Sequence, residues 1–162
     1  MSDTGKFLAG VSRKTAQAYL SQAGRIDQAI STQMQELTAV RKQRDKVQHQ
    51  LSLVKTGSGE STIHLTLLAN LTRRQEELEG EILTEYAHLI EKQKEIKKAI
   101  RQVPNDTQRM VLEKRYLVGL PFFCIAQEMN YSERQVLRLH TDGLEHVALQ
   151  LIKGLLSQEK LM

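Results

Sequence analysis

Apolar residues recur along the first half of the chain at alternating spacings of three and four, which is typical of long amphipathic helices. Between Tyr19 and Val54 the pattern spans about five heptads, more than a chance match would sustain. The two seam positions hold Tyr19, Ala23, Ile26, Ile30, Gln33, Leu37, Val40, Arg44, Val47, Leu51 and Val54. Gln33 and Arg44 are polar faults, which can set the register of a coiled coil at some cost in stability. The pattern predicts a helix over about residues 11–55.

A second long helix is predicted over about residues 62–101, beginning at Ser61 or Thr62. Its apolar positions are Leu68, Leu71, Leu78, Ile82, Tyr86, Leu89, Ile96, Ile100 and Val103. The intervening segment KTGSGEST, residues 55–62, is rich in glycine and hydroxyl residues and indicates a turn. Residues 1–55 carry a net charge of +5 and residues 56–100 a net charge of −2. Opposite charges suit an antiparallel hairpin, closed either within one chain or between two chains.

Shorter elements follow Pro104. A capped helix is expected to begin at Asn105 or Asp106, with Gly119 suited to its C-terminus. Pro121 suits the first turn of the next helix. The sequence therefore predicts an all-α protein in which residues 1–103 form a long antiparallel helical hairpin or coiled coil. A second, carboxy-terminal domain covers residues 104–162.

The segment FFCIAQEMNYSERQVLRLHT, residues 122–141, reads as two helices joined by a tight turn. The inner face of the first helix is expected to hold Ile125, Ala126 and Met129. Asn130 lies where the backbone needs a positive φ angle, which Asn tolerates well, and Ser132 can cap the second helix. Val136 and Leu139 of the second helix would then pack back on the first. This pattern predicts a helix-turn-helix, although hairpins of two helices are also common in ordinary cores.

The polar side chains of the second predicted helix carry the candidate chemistry. The candidate DNA-binding residues are Ser132, Glu133, Arg134, Gln135, Arg138 and Thr141. Arginine is suited to guanine and glutamine to adenine in the major groove. We therefore expect Arg134, Gln135 and Arg138 to contact bases, and Ser132 and Thr141 to contact phosphate.

Residues 101–157 resemble region 4 of bacterial sigma factors. More closely, they resemble the sigma-like carboxy-terminal domain of phage-encoded ArpU/RinA-type transcription regulators. The matching residues are Arg109, Leu112, Arg115, Tyr116, Gly119, Ile125, Ala126, Ser132, Arg134, Gln135, Val136, Arg138, Leu139, His140 and Leu144. The resemblance implies a sequence-specific DNA-binding regulator that activates late phage genes. It also implies that the residues following Ser132 lie where sigma region 4 reads bases.

Two other classes of function remain open. One is an RNA polymerase-binding partner, sigma-like or anti-sigma, whose small domain docks on protein. A complete sigma factor is disfavoured, because the chain has no Trp and only three Phe residues with which to melt promoter DNA. The other is a structural subunit of phage DNA packaging, a class that usually places the DNA-reading motif first.

Charge and apolar surface suggest the partners. Residues 101–162 carry a net charge of only +1, which is modest for a lone DNA reader. A homodimer, host RNA polymerase or the basic run RKQRDK at residues 41–46 could supply further affinity, although that run is more typical of a solvated helix face. The last helix carries an apolar stripe of Leu144, Val147, Leu151, Ile152, Leu155 and Leu156. It exceeds what a small core needs and indicates a dimer contact or packing against the hairpin.

Composition argues against several other classes of protein. The single cysteine, Cys124, cannot form an intrachain disulfide, and no apolar run approaches the roughly 20 residues that span a bilayer. These features suit a protein of the host-cell cytoplasm that does not bind membranes. The five histidines are scattered, and no phosphate-binding glycine loop or metal-ligand spacing occurs. We therefore expect no enzymatic activity, no metal and no cofactor.

Overall fold

The computed structural model describes the backbone of residues 3–161 and the side chains of residues 12–161. This part of the chain is helical and contains no strand, which confirms the all-α prediction. The helices are α1 (Asp3–Leu20), α2 (Gln22–Leu53), α3 (Gly59–Arg101), α4 (Asp106–Glu113), α5 (Phe122–Met129) and α6 (Glu133–Glu159). None of the described helices is both long enough and apolar enough to cross a membrane.

The chain forms two compact units. One unit is Ile26–Leu89, and the other combines the residues up to Arg25 with those from Ile90 onwards. This grouping divides α2 and α3 and so differs from the division into residues 1–103 and 104–162, which stays a prediction.

Within the unit Ile26–Leu89, polar side chains of α2 bond to polar side chains of α3. Arg41 pairs with Glu79 at 2.9 Å and Arg44 donates to Gln75 at 2.7 Å. Arg74 of α3 pairs with Glu36 of α2 at 2.7 Å. The buried apolar side chains of this unit are Ile30, Leu37, Val40, Val47, Leu78, Ile82 and Leu89.

The first long helix departs from its prediction because it is broken at Ser21. The Ser21 hydroxyl donates to the carbonyl of Gln17 at 2.7 Å, and the Arg25 guanidinium donates to the carbonyl of Ala18 at 3.2 Å. Bonds from Ser and Thr side chains to the carbonyl four residues back can bend helices, but the same bond at Thr32 and Thr38 leaves α2 unbroken. The separated α1 packs against α6, where Arg13 pairs with Glu145 at 2.6 Å. The spacing of apolar residues predicts neither the break at Ser21 nor the packing of α1 against α6.

Two details of α3 also correct the sequence analysis. The helix begins at Gly59 rather than about residue 62, because the Ser58 hydroxyl oxygen accepts the backbone N–H of Ser61 at 3.1 Å and Gly57 adopts a φ of +84°. Tyr86, which the spacing predicts on the apolar face, is 43% exposed. The buried face passes from Ile82 to Leu89, and Tyr86 lies beside it.

The carboxy-terminal elements are joined by specific caps. The Asn105 side chain accepts the backbone N–H of Gln108 at 2.9 Å, which confirms the predicted start of α4. A π-helical turn, Lys114–Val118, follows α4 and ends at Gly119 with a φ of +86°. The sequence did not predict this turn. The core between α4, α5 and α6 contains Val111, Ile125, Ala126 and Val136, with Leu120, Phe122, Met129 and Leu139 packed against it.

The apolar stripe of α6 divides into a buried and an exposed part. Leu144 and Val147 are buried, and Leu151 is half-buried. Ile152, Leu155 and Leu156 are exposed. The first part belongs to the core of this unit, whereas the second lies on the surface.

Candidate nucleic-acid interface

The turn between α5 and α6 fixes the direction in which α6 leaves the core. Asn130 adopts a φ of 56°, as its position in the sequence predicts. The backbone N–H of Tyr131 donates to the carbonyl of Ala126 at 3.0 Å, and that of Asn130 donates to Gln127 at 3.4 Å. These two bonds form the Schellman arrangement that commonly ends helices. Because Ala126 and Val136 are buried together, the turn and the core hold α5 and α6 in one geometry.

Ser132 caps α6, which confirms its predicted capping role. Its hydroxyl oxygen accepts the backbone N–H of Gln135 at 3.2 Å, while the Gln135 side-chain oxygen accepts the backbone N–H of Ser132 at 2.9 Å. This reciprocal pair is a capping box. The cap was predicted from the sequence and the box was not, although its Ser-x-x-Gln signature is present.

The capping box changes what Gln135 offers to a ligand. Bidentate recognition of adenine uses both the oxygen and the nitrogen of a glutamine side chain. The Gln135 oxygen is already bonded within α6, so its amide nitrogen is the free group. The predicted base contact by Gln135 stays a prediction, and an adenine contact of this kind would require the box to open.

Replacing Ser132 by alanine should lower the free energy of unfolding by about 1 kcal/mol, the usual contribution of such a cap. Urea denaturation followed by circular dichroism measures this change. Ser157→Ala is the matched control, because Ser157 is exposed within the same helix and bonds only to the carbonyl of Lys153. Equal stability of the Ser132 variant and the wild type would contradict the capping role.

Two arginines stand free at the beginning of α6. Arg134 and Arg138 are exposed, and neither has a hydrogen-bond or ion-pair partner within the described part of the chain. They are four positions apart, which places them on one face of the helix. Glu133 is also exposed and lies in the first turn, where the helix dipole favours a carboxylate. The two guanidinium groups therefore present all their donors to solvent.

Thr141 lies at the far end of this face. It is half-buried, and its hydroxyl donates to the carbonyl of Leu137 at 2.9 Å. The hydroxyl oxygen can still accept a hydrogen bond, but its proton is engaged within the helix. The phosphate contact of Thr141 stays a prediction, and donation to a phosphate would require this bond to break.

A shallow hollow of about 220 Å³ adjoins the arginines. It is lined by Asn105 and Thr107 from the start of α4, and by Tyr131, Gln135, Arg138 and Leu139. The amino-terminal ends of α4 and α6 thus open onto the same polar surface.

Behind this surface, a buried aromatic cluster ties α6 to the π-helical turn. His140 is 6% exposed, and its Nε2 atom lies 2.7 Å from the Tyr116 hydroxyl. The Phe122 ring meets His140 edge-on at 4.8 Å, and the Arg115 guanidinium lies 4.4 Å above Phe122. Burial, together with the nearby positive charge of Arg115, lowers the pKa of His140 to about 4. Burial also raises the pKa of Tyr116 to about 12.

These pKa values mean that His140 is neutral and Tyr116 is protonated near neutral pH. The burial of His140 and its contacts with Tyr116 and Phe122 indicate a packing role. The local sequence pattern does not predict the partnership of His140 with Tyr116, because the two residues lie on different elements.

Other sites are sparse in the described part of the chain. It contains no group of three or more His, Cys, Asp or Glu side chains placed to hold a metal ion. Cys124 is a free, half-buried thiol. The two arginines of the basic run at residues 41–46 are engaged, Arg41 with Glu79 and Arg44 with Gln75. Lys42 and Lys46 of that run are exposed.

Comparison with known proteins gave no match among family models, curated proteins or solved structures.

Proposed function

We propose that this protein is a sequence-specific regulator of transcription that binds double-stranded DNA. In this proposal α5, the turn and α6 form a helix-turn-helix, and the beginning of α6 enters the major groove. The observation that carries the proposal is the pair of exposed, unpartnered guanidinium groups of Arg134 and Arg138 on the first turns of a capped helix. A rigid helix that presents free arginines is suited to reading base edges.

Each candidate residue has a separate role in this proposal. Arg134 and Arg138 donate to guanine, the commonest specific contact in the major groove. Ser132 and Gln135 hold the end of α6 through their capping box, and the free amide nitrogen of Gln135 faces the nearby backbone or bases. Glu133 accepts from a cytosine amino group, and Thr141 lies near phosphate.

A second copy of the chain completes the site. Residues 101–162 carry a net charge of +1, and phosphate neutralisation dominates DNA affinity, so two copies on adjacent half-sites bind more tightly than one. The exposed Ile152, Leu155 and Leu156 of α6 offer an apolar surface for pairing. The resemblance to ArpU/RinA-type regulators supports activation of late phage genes in the host cytoplasm, with host RNA polymerase as a further partner.

Selection of binding sites from a random duplex library tests the proposal. The purified wild-type protein should enrich one sequence motif. A variant with Arg134→Ala and Arg138→Ala should enrich none. The matched control is Lys153→Ala with Lys160→Ala, which removes the same charge from exposed positions of the same carboxy-terminal segment and should retain the motif.

On the selected duplex, Arg138→Ala alone should cost about 1–3 kcal/mol of binding and relax the preference at one base position. Fluorescence anisotropy with single-base variants of the duplex measures both effects. An equal loss on every sequence would make Arg138 a phosphate contact instead. Capture of RNA polymerase by a protein that binds no duplex would contradict DNA reading and favour a polymerase-binding partner.

A further inference from the structure

The end of α3 carries a strongly basic face. Lys94, Lys97, Lys98 and Arg101 line one depression of about 340 Å³ together with Gln102. Their spacings of three, one and three positions place them on one side of the helix. On the other side Ile96 and Ile100 are fully buried. The basic face therefore points to solvent while the apolar face is packed.

Three of these cations are available to a ligand. Lys97, Lys98 and Arg101 are exposed, and none has a hydrogen-bond or ion-pair partner among the residues whose side chains are described. Lys94 pairs with Glu91 at 3.1 Å. Compared with the engaged arginines of the 41–46 run, this cluster keeps more of its charge free.

Helix stability explains only part of this arrangement. Cations in the last turn of a helix interact favourably with its dipole, which accounts for Lys98 and Arg101. Lys94 and Lys97 lie before that turn. Like charges three and four positions apart also repel each other. A bound anionic ligand would offset this repulsion, because each cation would attract it.

The cluster lies close to the candidate DNA-reading surface along the chain. Arg101 precedes Asn105 by four residues, and Asn105 lines the hollow that also contains Arg138. Four residues span at most about 14 Å even when fully extended. The major groove is about 12 Å wide, so the phosphates that border it lie within this reach of a helix inserted in the groove.

We propose that Lys97, Lys98 and Arg101 bind the phosphate backbone of the duplex whose bases α6 reads. This inference rests on the proposed function and deepens it by adding a second contact surface. The inference also adds two positive charges to the modest net charge of residues 101–162, because Lys97 and Lys98 lie just before that segment. Phosphate contacts fix position and supply affinity, whereas base contacts specify sequence.

The salt dependence of binding tests whether these three residues contact phosphates rather than bases. A variant with Lys97→Gln, Lys98→Gln and Arg101→Gln keeps good helix formers at all three positions. On the duplex selected by the wild-type protein, the slope of log affinity against log salt should become shallower by about 2–3, since each lost phosphate contact removes about 0.9. Affinity near physiological salt should fall about tenfold or more, while the ranking of duplex sequences stays unchanged.

A matched control removes the same charge elsewhere. Lys55, Lys153 and Lys160 are exposed and have no ion-pair partner in the described residues, and their replacement by glutamine should leave the slope within about 1 of the wild-type value. A triple variant at 97, 98 and 101 with the wild-type slope would overturn this inference while leaving the proposed function intact. A wild-type protein that binds no duplex would overturn both.

Discussion

Replacement of Leu112 by alanine should lower the free energy of unfolding by about 2–5 kcal/mol. Leu112 is fully buried, and its side chain lies against the backbone of Gly143, so it joins α4 to α6. Truncation removes apolar contacts and leaves a cavity that the surrounding helices fill only in part. Urea denaturation followed by circular dichroism measures the loss. Met110→Ala in the same helix is the control, because Met110 is 46% exposed and its truncation should change stability by less than about 0.5 kcal/mol.

A second substitution at Gly143 identifies the contact responsible. A Cβ atom added at Gly143 would lie 3.0 Å from Cδ1 and 3.2 Å from Cγ of Leu112. In the wild-type background this crowding opposes the gain of about 1 kcal/mol that alanine brings to a helix interior. In the Leu112→Ala background the crowding is gone, so Gly143→Ala should recover about 1 kcal/mol or more. An equal effect of Gly143→Ala in both backgrounds would contradict direct packing of these two residues.

Acidification should destabilise the unit that contains His140. The pKa of His140 is about 4 in the folded protein and about 6.5 in an unfolded chain. Between these values the unfolded chain binds more protons, so stability is complete above about pH 6.5 and falls as the pH approaches 4. A shift of this size corresponds to a loss of about 2–4 kcal/mol.

The measurement compares urea denaturation at pH 7 and pH 4 for the wild type and His140→Gln. Other groups also titrate over this range, so the informative quantity is the difference between the two proteins. The wild type should lose about 2–4 kcal/mol more than the variant. His49→Gln is the control, because His49 is exposed, and it should follow the wild type. The same pH dependence in all three proteins would show that His140 does not titrate as its burial requires.

These two predictions concern the framework behind the candidate DNA-binding surface rather than the surface itself. Leu112 and His140 hold α6 against α4 and the π-helical turn, whereas Arg134 and Arg138 point to solvent. Variants of the first kind should change stability, and variants of the second kind should change DNA affinity. Stability and affinity measured on both sets of variants therefore separate a DNA-reading surface from an ordinary helical core.

Features that depend on nearby residues were accessible from the sequence. The heptad positions from Ala23 to Val47 are buried or half-buried, as their spacing predicts. Asn105 and Ser132 cap α4 and α6, and Asn130 has the positive φ angle that its place between two helices predicts. Periodicity and caps are set by side chains within a few positions of each other, so a single sequence carries them.

Features that depend on partners from distant parts of the chain required the tertiary structure. Neither the pairing of Arg41 with Glu79 nor the availability of Arg134 can be read from residue type, since both are arginines on helices. The burial of His140 against Tyr116 likewise depends on a residue from another element. The sequence by itself determined where helices begin, end and become apolar, because those are local properties of the chain. Only the tertiary structure decided which charges are neutralised and which remain free, because a charge is neutralised by whatever side chain folding brings beside it.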